Sequence, residues 1–432
     1  MSESRSGAAT PQQETRHRLP VRTLVAASIG NAIEWYDWTV YATFSIYFAA
    51  QVFPNEDTAL ISTFATYAVA FFFRPLGGWM LGRFADVNGR RTAMILTIVL
   101  MAGGSAMIGL LPTYAQVGLL APILLLVARV AQGLSLGGEV SNASAYLAEI
   151  APQGHRGRYS SFFYISTGSS LLVASMLGVL LTAWLSEDQL ASFGWRIPFL
   201  IGGVLGVVGL WLRRNLAETQ LFEERKDSAQ RTDRPLLTTL RQHPRAVGTM
   251  VGITLLNTLC YYTFFSAVTP YAVDSQGADD NDVFLALTIG TALFVALQYP
   301  FGMLSDRLGR RPQLLFWSAA IAILVVPLSL LIGPGLPQLL VVFCTGLGLY
   351  ALMASIAPAI MSEIFPTELR GVGIGAWYNI TVATFGGTAP LVITWLADAG
   401  LSEVFFYYVA AGAVVTFVTV WRLPETGHRP LP

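Results

Sequence analysis

Glu34 and Asp37 stand three residues apart in the stretch Gly30-Asn31-Ala32-Ile33-Glu34-Trp35-Tyr36-Asp37-Trp38-Thr39-Val40-Tyr41, inside the first long apolar run of the chain. On a helix that spacing puts both carboxylates on roughly one face. Ionisable groups within a membrane helix are expensive and mark ion paths, proton relays or substrate contacts. Two arginines, Arg74 and Arg129, lie in later apolar runs. At about 1.5 Å of rise per residue, Asp37 sits about 20 Å and Arg129 about 18 Å below the outer ends of their helices, and Glu34 and Arg74 both near about 24 Å. Matching depths pair Asp37 with Arg129 and Glu34 with Arg74, because an unpaired buried charge costs several kcal/mol. The four charges cancel. Protons on both acids would release two guanidiniums, a charge that suits a dicarboxylate held by bidentate bonds. Asp37, Glu34 and Arg129 are therefore read as proton-coupling residues, and Arg74, Arg129, Gln132, Tyr41 and Tyr262 as substrate-binding ones. The competing reading is that the pairs only brace helices, and that Tyr41, Tyr261, Tyr262, Tyr271 and Asn379 pack at lipid interfaces or in the core.

These residues need helices that cross a bilayer, and the composition supplies them. Of the 432 residues, 54% are hydrophobic and 12% charged, against about 25% charged in a soluble domain. The net charge is zero, so no global field attracts nucleic acid. Cys260 and Cys344 sit far apart in apolar runs and read as free thiols; His17, His155, His243 and His428 have no metal-ligand spacing. Twelve runs reach the roughly 20 residues that a span needs: 23–50, 59–82, 92–111, 118–141, 160–184, 195–212, 246–272, 283–304, 313–332, 338–361, 371–396 and 403–421. Gly333-Pro334-Gly335-Leu336-Pro337 divides the ninth from the tenth.

Alternating the loops from inside leaves every Lys and Arg on one side except Arg74, Arg129 and Arg196, which lie within or at the start of spans. The opposite loops carry acids, as in Asp279-Asp280-Asn281-Asp282. Cytoplasmic loops hold the cation excess, so both termini are expected in the cytoplasm. Arg196 is read as structural, pairing with Glu187 or Asp188. The chain also repeats. Asp86-Val87-Asn88-Gly89-Arg90-Arg91 returns as Asp306-Arg307-Leu308-Gly309-Arg310-Arg311, and the segment from Glu149 through Arg156 to Gly157 returns as that from Glu363 through Arg370 to Gly371. Two motifs at nearly one offset imply two six-helix halves, the usual build of secondary transporters. The expected domains are a disordered tail (1–20), a first half (21–212), a charged linker (213–245), a second half (246–422) and a tail (423–432). Gly89 and Gly309 supply turns. Asp86, Arg90, Arg91, Glu149, Arg156 and Asp306, Arg310, Arg311, Glu363, Arg370 form either a charge latch, arginine to acid within a half, or turns and positive-inside anchors. Glu139, nearer the inner face, is a gate residue or a solvated one.

With these residues the chain resembles the major facilitator superfamily. Gly30-Asn31-x-x-Glu34-Trp35-Tyr36-Asp37, Phe73-Arg74-Pro75-x-Gly77-Gly78-Trp79, Arg129-x-x-Gln132-Gly133-x-x-x-Gly137-Gly138-Glu139, Gly194-Trp195-Arg196-Ile197-Pro198-Phe199 and Leu212-Arg213-Arg214-x-Leu216-x-Glu218-Thr219 resemble its metabolite:proton symporters. The resemblance implies an all-α membrane protein of twelve transmembrane helices in two six-helix pseudo-repeats. It also implies a carrier of 2-oxoglutarate, citrate, shikimate, or betaine and proline. Tyr262-Thr263-Phe264 and the pattern through spans 7–9 resemble the 2-oxoglutarate permease branch. The C-terminal coiled coil typical of the osmosensing betaine branch is not expected after Pro432. Asp37 and Arg129 are similar to the helix-1 acid and helix-4 arginine of proton-coupled sugar porters. The expected function is proton-coupled import of a small organic anion across the cell membrane by a monomer; exchange, export or sensing are the alternatives. With no nucleophile–base pair, metal cluster or P-loop, neither an enzyme nor a cofactor is expected.

Overall fold

The computed structural model of the chain describes residues 21–214, 216, 218, 235–386, 392, 396 and 401–432. The expected 1–20 tail, most of the linker and the end of the eleventh span lie outside the described residues. The first half consists of α1 (Val21–Val52), α2 (Glu56–Asn88), α3 (Arg90–Gly109), α4 (Leu120–Ile150), α5 (Arg156–Trp184) and α6 (Arg196–Arg214). The second consists of α7 (Pro244–Ala267), α8 (Asp280–Leu308), α9 (Arg310–Leu330), α10 (Leu336–Ile364), α11 (Arg370–Thr381) and α12 (Ser402–Trp421). Among the described residues, nine of these are long and apolar enough to cross a membrane unaided. The others are α1, α2 and α11, the last only partly described.

Sequence dictates where the rods begin and bend. Gly89 and Gly309 precede α3 and α9 with φ of 99° and 98°, a conformation that only glycine adopts without strain. A π-helical turn ends α7 (Thr263–Ala267), and another directly follows α11 (Val382–Gly386). Such turns often lie at functional sites. α6 runs two residues past the expected boundary and carries Arg213 into the core, fully buried.

The halves meet along two helix pairs, α2 with α11 and α5 with α8. Small residues let these backbones touch. A Cβ on Gly82 would lie 2.5 Å from the Gly371 carbonyl oxygen, and one on Gly78 would overlap that of Gly375. Gly157 meets the Gly302 carbonyl in the matching place. Outward faces are apolar instead, as with Val204, Val207 and Trp211 on α6, which suits contact with lipid tails.

Candidate functional site: a central cavity, a buried acid and two latches

A cavity lies between the halves. The first half lends it Trp35, Arg74 and Tyr164; the second lends Asn257, Tyr261, Tyr262, Tyr350 and Tyr378. Its free space is about 20 Å³, room for roughly one water, so an organic ligand needs the walls to part. Arg74 is buried, hydrogen-bonds Tyr262 and lies 5.4 Å from the Phe71 ring. Among the described residues no carboxylate ion-pairs Arg74. The expected Glu34–Arg74 pair does not form. Depth counting fixes height along a helix but not direction around it, and Glu34 turns toward α4 instead. Asn31 anchors the cavity wall. Its two amide hydrogens have three acceptors in reach, Phe163 O (2.9 Å), Ser166 Oγ (2.8 Å) and Thr167 Oγ1 (2.7 Å), while its oxygen accepts from Trp35 Nε1 at 3.1 Å.

Asp37 lies inside the first half and away from the cavity lining. Its carboxylate accepts from Ser105 Oγ and Gln132 Nε2 in two short bonds. The other end of the same amide accepts from Arg129 Nη1 at 2.7 Å. Acid and arginine are thus joined through Gln132. The Arg129 guanidinium also lies over the Trp38 and Tyr41 rings, at 4.5 and 4.2 Å from their centroids, a cation–π placement that helps hold a desolvated charge. Tyr41 donates to Thr63 O at 3.0 Å. Arg129, Gln132 and Tyr41 are therefore core residues here, not cavity walls as expected; Arg74 and Tyr262 do line the cavity.

A second buried cluster lies toward the latch face. Arg213 forms an ion pair with Glu139, donates Nη1 to Glu139 Oε2 at 3.0 Å, and binds the Ala26, Ala27 and Met94 carbonyls. Thr97 Oγ1 adds a 2.6 Å bond to Glu139. Glu139 is 0% exposed, so the solvated reading fails. Gly30 makes room, since a Cβ there would lie 2.6 Å from Glu139 Oε1. Sequence reading placed Arg213 in the linker; the missed signal was an arginine only one residue past an apolar run that already contained Gly202, Gly206 and Gly209. Arg196 likewise departs from expectation. It donates to Leu111 O and lies over the Trp195 ring at 4.3 Å.

The two repeated motifs meet across the halves in matched fashion. Asp86 accepts from Gly371 N (3.0 Å) and Val372 N (3.1 Å) at the start of α11, and Asp306 accepts from Gly157 N (2.7 Å) and Arg158 N (3.1 Å) at the start of α5. Each acid caps orphan donors and the positive end of a helix dipole. Glu149 pairs with Arg90 at 3.6 Å and Arg370 at 2.6 Å; Glu363 pairs with Arg310 at 3.5 Å and Arg156 at 3.3 Å. The expected pairing of arginine with acid within a half is present, as Arg90 with Asp86 and Glu149 and as Arg310 with Asp306 and Glu363; Arg370 and Arg156 extend each cluster from one half to the other, and this face is closed. Arg91 donates to Arg214 O and Arg311 to Trp421 O.

A third repeat, overlooked in the sequence, completes them. Leu216-Ala217-Glu218-Thr219 returns as Leu423-Pro424-Glu425-Thr426. Glu218 accepts from Arg90 N and Arg91 N, and Glu425 from Arg310 N and Arg311 N. Burial pushes the Glu425 carboxyl up, but the N–H groups of Gly427, Arg310, Arg311 and Thr426 outweigh it and hold the group below the usual carboxylate range. The following residues dock too. Thr426 Oγ1 donates to Glu363 (2.6 Å), Arg156 to Arg429 O (2.8 Å) and Arg370 to Pro432 O (3.1 Å).

A profile described as the Major Facilitator Superfamily matches residues 27–279 and 250–432. The chain is 38% identical to the alpha-ketoglutarate permease of Escherichia coli (strain K12), over 96% of this chain and 95% of that one. It is 33% identical to the proline/betaine transporter of Salmonella typhimurium, over 95% and 84%. Among solved structures, the proton:xylose symporter XylE bound to 6-bromo-6-deoxy-D-glucose superposes with a TM-score of 0.80 at 18% identity, covering 95% of this chain and 97% of that one. The human organic anion transporter MFSD10 superposes with a TM-score of 0.66 at 16% identity, covering 93% and 100%.

Proposed function

The chain belongs to the major facilitator superfamily and is a multi-pass secondary transporter, not an enzyme; from that premise we propose that it imports a small carboxylate, a dicarboxylate such as 2-oxoglutarate, together with protons. The observation that carries this reading is the buried chain from Asp37 through Gln132 to Arg129. Everything aimed at Asp37 donates: a hydroxyl and an amide N–H. Donors of this kind hold a carboxylate in place and leave it to be neutralised by a proton.

In this scheme Asp37 takes a proton while the cavity communicates with the outside. The neutral acid no longer holds Gln132 Nε2 as an anion does, and the amide loosens its grip on Arg129. The substrate carboxylate engages Arg74 and Tyr262, whose partners Asn257, Tyr350 and Tyr378 supply neutral hydrogen bonds and aromatic walls. Rocking then breaks the Glu149–Arg370 and Glu363–Arg156 latches, and proton and substrate leave on the opened side. The basic loops and both termini face the cytoplasm of a cell membrane, and one chain suffices for transport.

A second reading has its own support. One arginine beside a box of rings also suits a zwitterion, with its carboxylate on Arg74 and a quaternary ammonium against Trp35, Tyr261 and Tyr262. Reconstituted vesicles separate the two. Labelled 2-oxoglutarate, citrate, shikimate, glycine betaine and proline are offered with and without an inward proton gradient. Gradient-driven accumulation of 2-oxoglutarate is expected, and uptake of only glycine betaine or proline selects the zwitterion reading. Asp37→Asn should lose gradient-driven accumulation yet keep exchange of labelled for unlabelled substrate; full accumulation by that variant would refute the switch.

A further inference from the structure

Glu34 is held differently from every other buried acid described. Asp37 has two donors, Glu139 a guanidinium and a hydroxyl, Asp306 two backbone N–H groups and two arginines, and Glu363 two arginines and the Thr426 hydroxyl. Glu34 is 1% exposed and has one neighbour able to donate, Ser135 Oγ, at 2.9 Å from Oε1. Its Oε2 has no hydrogen-bond partner; Asp37 Oδ1 has none either, but Asp37 keeps a second donor in Gln132 where Glu34 has only Ser135. Ser135 has a single hydroxyl proton, and the Thr97 carbonyl oxygen stands 2.8 Å from the same Oγ. If Ser135 donates to Thr97, the 2.9 Å contact with Glu34 is a hydrogen bond only when Glu34 is the donor. One arrangement satisfies both distances: Glu34 O–H to Ser135 Oγ, and Ser135 O–H to Thr97 O.

The charges around Glu34 agree. From α4 it faces Glu139, from α6 Arg213 and from α2 Arg74, while α3 presents only Thr97. Arg213 is already engaged on both arms by Glu139. Arg74 turns to Tyr262 and the cavity. No cation within ion-pair reach remains for Glu34 among the described residues.

We infer that Glu34 holds a resident proton, that it stays neutral through the transport cycle, and that Arg74 thereby keeps a positive charge uncompensated by protein and available to the carboxylate of the substrate. Asp37 then is the acid that cycles, and Glu34 is a neutral hydrogen-bond donor locking α1 to α4. The inference rests on the proposed switch only for the identity of the cycling acid.

The test reads protonation directly. Infrared spectra of the reconstituted protein at neutral pH should show the carbonyl stretch of a buried protonated carboxyl, which persists in Asp37→Asn and disappears in Glu34→Gln. Labelled 2-oxoglutarate and glycine betaine are then followed against external pH. Glu34→Gln, a neutral isostere that retains a donor to Ser135, should leave the pH midpoint of uptake where the wild type has it and change the rate no more than about threefold, a loss of the size of one ordinary hydrogen bond. Absence of the protonated-carboxyl band from the wild type, or a midpoint displaced by Glu34→Gln, overturns the inference. The band needs no variant to fold. If Asp37→Asn still accumulates substrate against a gradient while the band persists, the proposed switch fails and the resident proton stands.

Discussion

At the scale of single residues, Gln132 is the one whose role changed most. Its place one turn from Arg129 gave it a substrate contact; its geometry gives it both the acid and the arginine. Gln132→Leu keeps much of the volume and removes both bonds. Uptake driven by a pH gradient should fall at least about tenfold, while exchange falls less, because the loss of one charge-assisted bond is worth about 1.5–3 kcal/mol; equal losses in the two assays would make Gln132 merely structural. Glu425 offers a prediction of opposite kind, on stability. Its folded pKa lies below its unfolded one, so its contribution is fully present above the unfolded value, about 4.3, and is lost as pH falls through the folded value. Glu425→Gln should therefore lower the melting temperature in detergent at pH 7, with the gap to wild type closing as pH drops below about 4; a gap independent of pH would assign the effect to packing. Side-chain types and spacing were enough to single out Glu34, Asp37, Arg74 and Arg129. They did not say which way each points, since Glu34 and Arg74 share a depth and face different neighbours.

At the scale of elements, those directions follow from the register of α1 on α4. Glu34 and Asp37 are three apart on α1, and their partners Ser135 and Gln132 are three apart on α4. The helices run antiparallel, so the two contacts stack one turn above the other. Apolar runs and turn glycines made the helices and their order legible. The α2–α11 and α5–α8 contacts were not, because glycines within an apolar span read equally as lipid-facing or packed. Here they are packed so closely that side chains are excluded. Gly78→Ala would push a methyl into the Gly375 carbonyl, at an overpacking cost of about 1–3 kcal/mol. The cost applies only while the halves touch on this face. A thiol probe placed on that face, in a background lacking Cys260 and Cys344, should label several times faster in Gly78→Ala than in its parent; unchanged labelling would mean that the contact persists in both transport states.

At the scale of the whole molecule, the two latches are one device written twice. Asp86 with Arg90 and Glu149 in the first half grips the start of α11 and Arg370, and Asp306 with Arg310 and Glu363 in the second grips the start of α5 and Arg156. The repeat was visible in the sequence, yet its reach across the halves was not, because a repeat states that two parts are alike and not that each clasps the other. The matched geometry makes a quantitative demand. Glu149→Gln takes from Arg370 its carboxylate while Arg90 keeps Asp86, and Glu363→Gln takes from Arg156 its carboxylate while Arg310 keeps Asp306, each at a cost of about 3–5 kcal/mol where the stranded charge stays buried. That cost falls on the closed state, since parting the halves returns the groups to water. Each variant should therefore open this face, and by a similar amount. The same thiol probe should label faster in both, and gradient-driven uptake should fall in both as the cycle stalls at reclosure. Opening by Glu149→Gln alone would show that the first-half latch closes this face and that its twin is a turn.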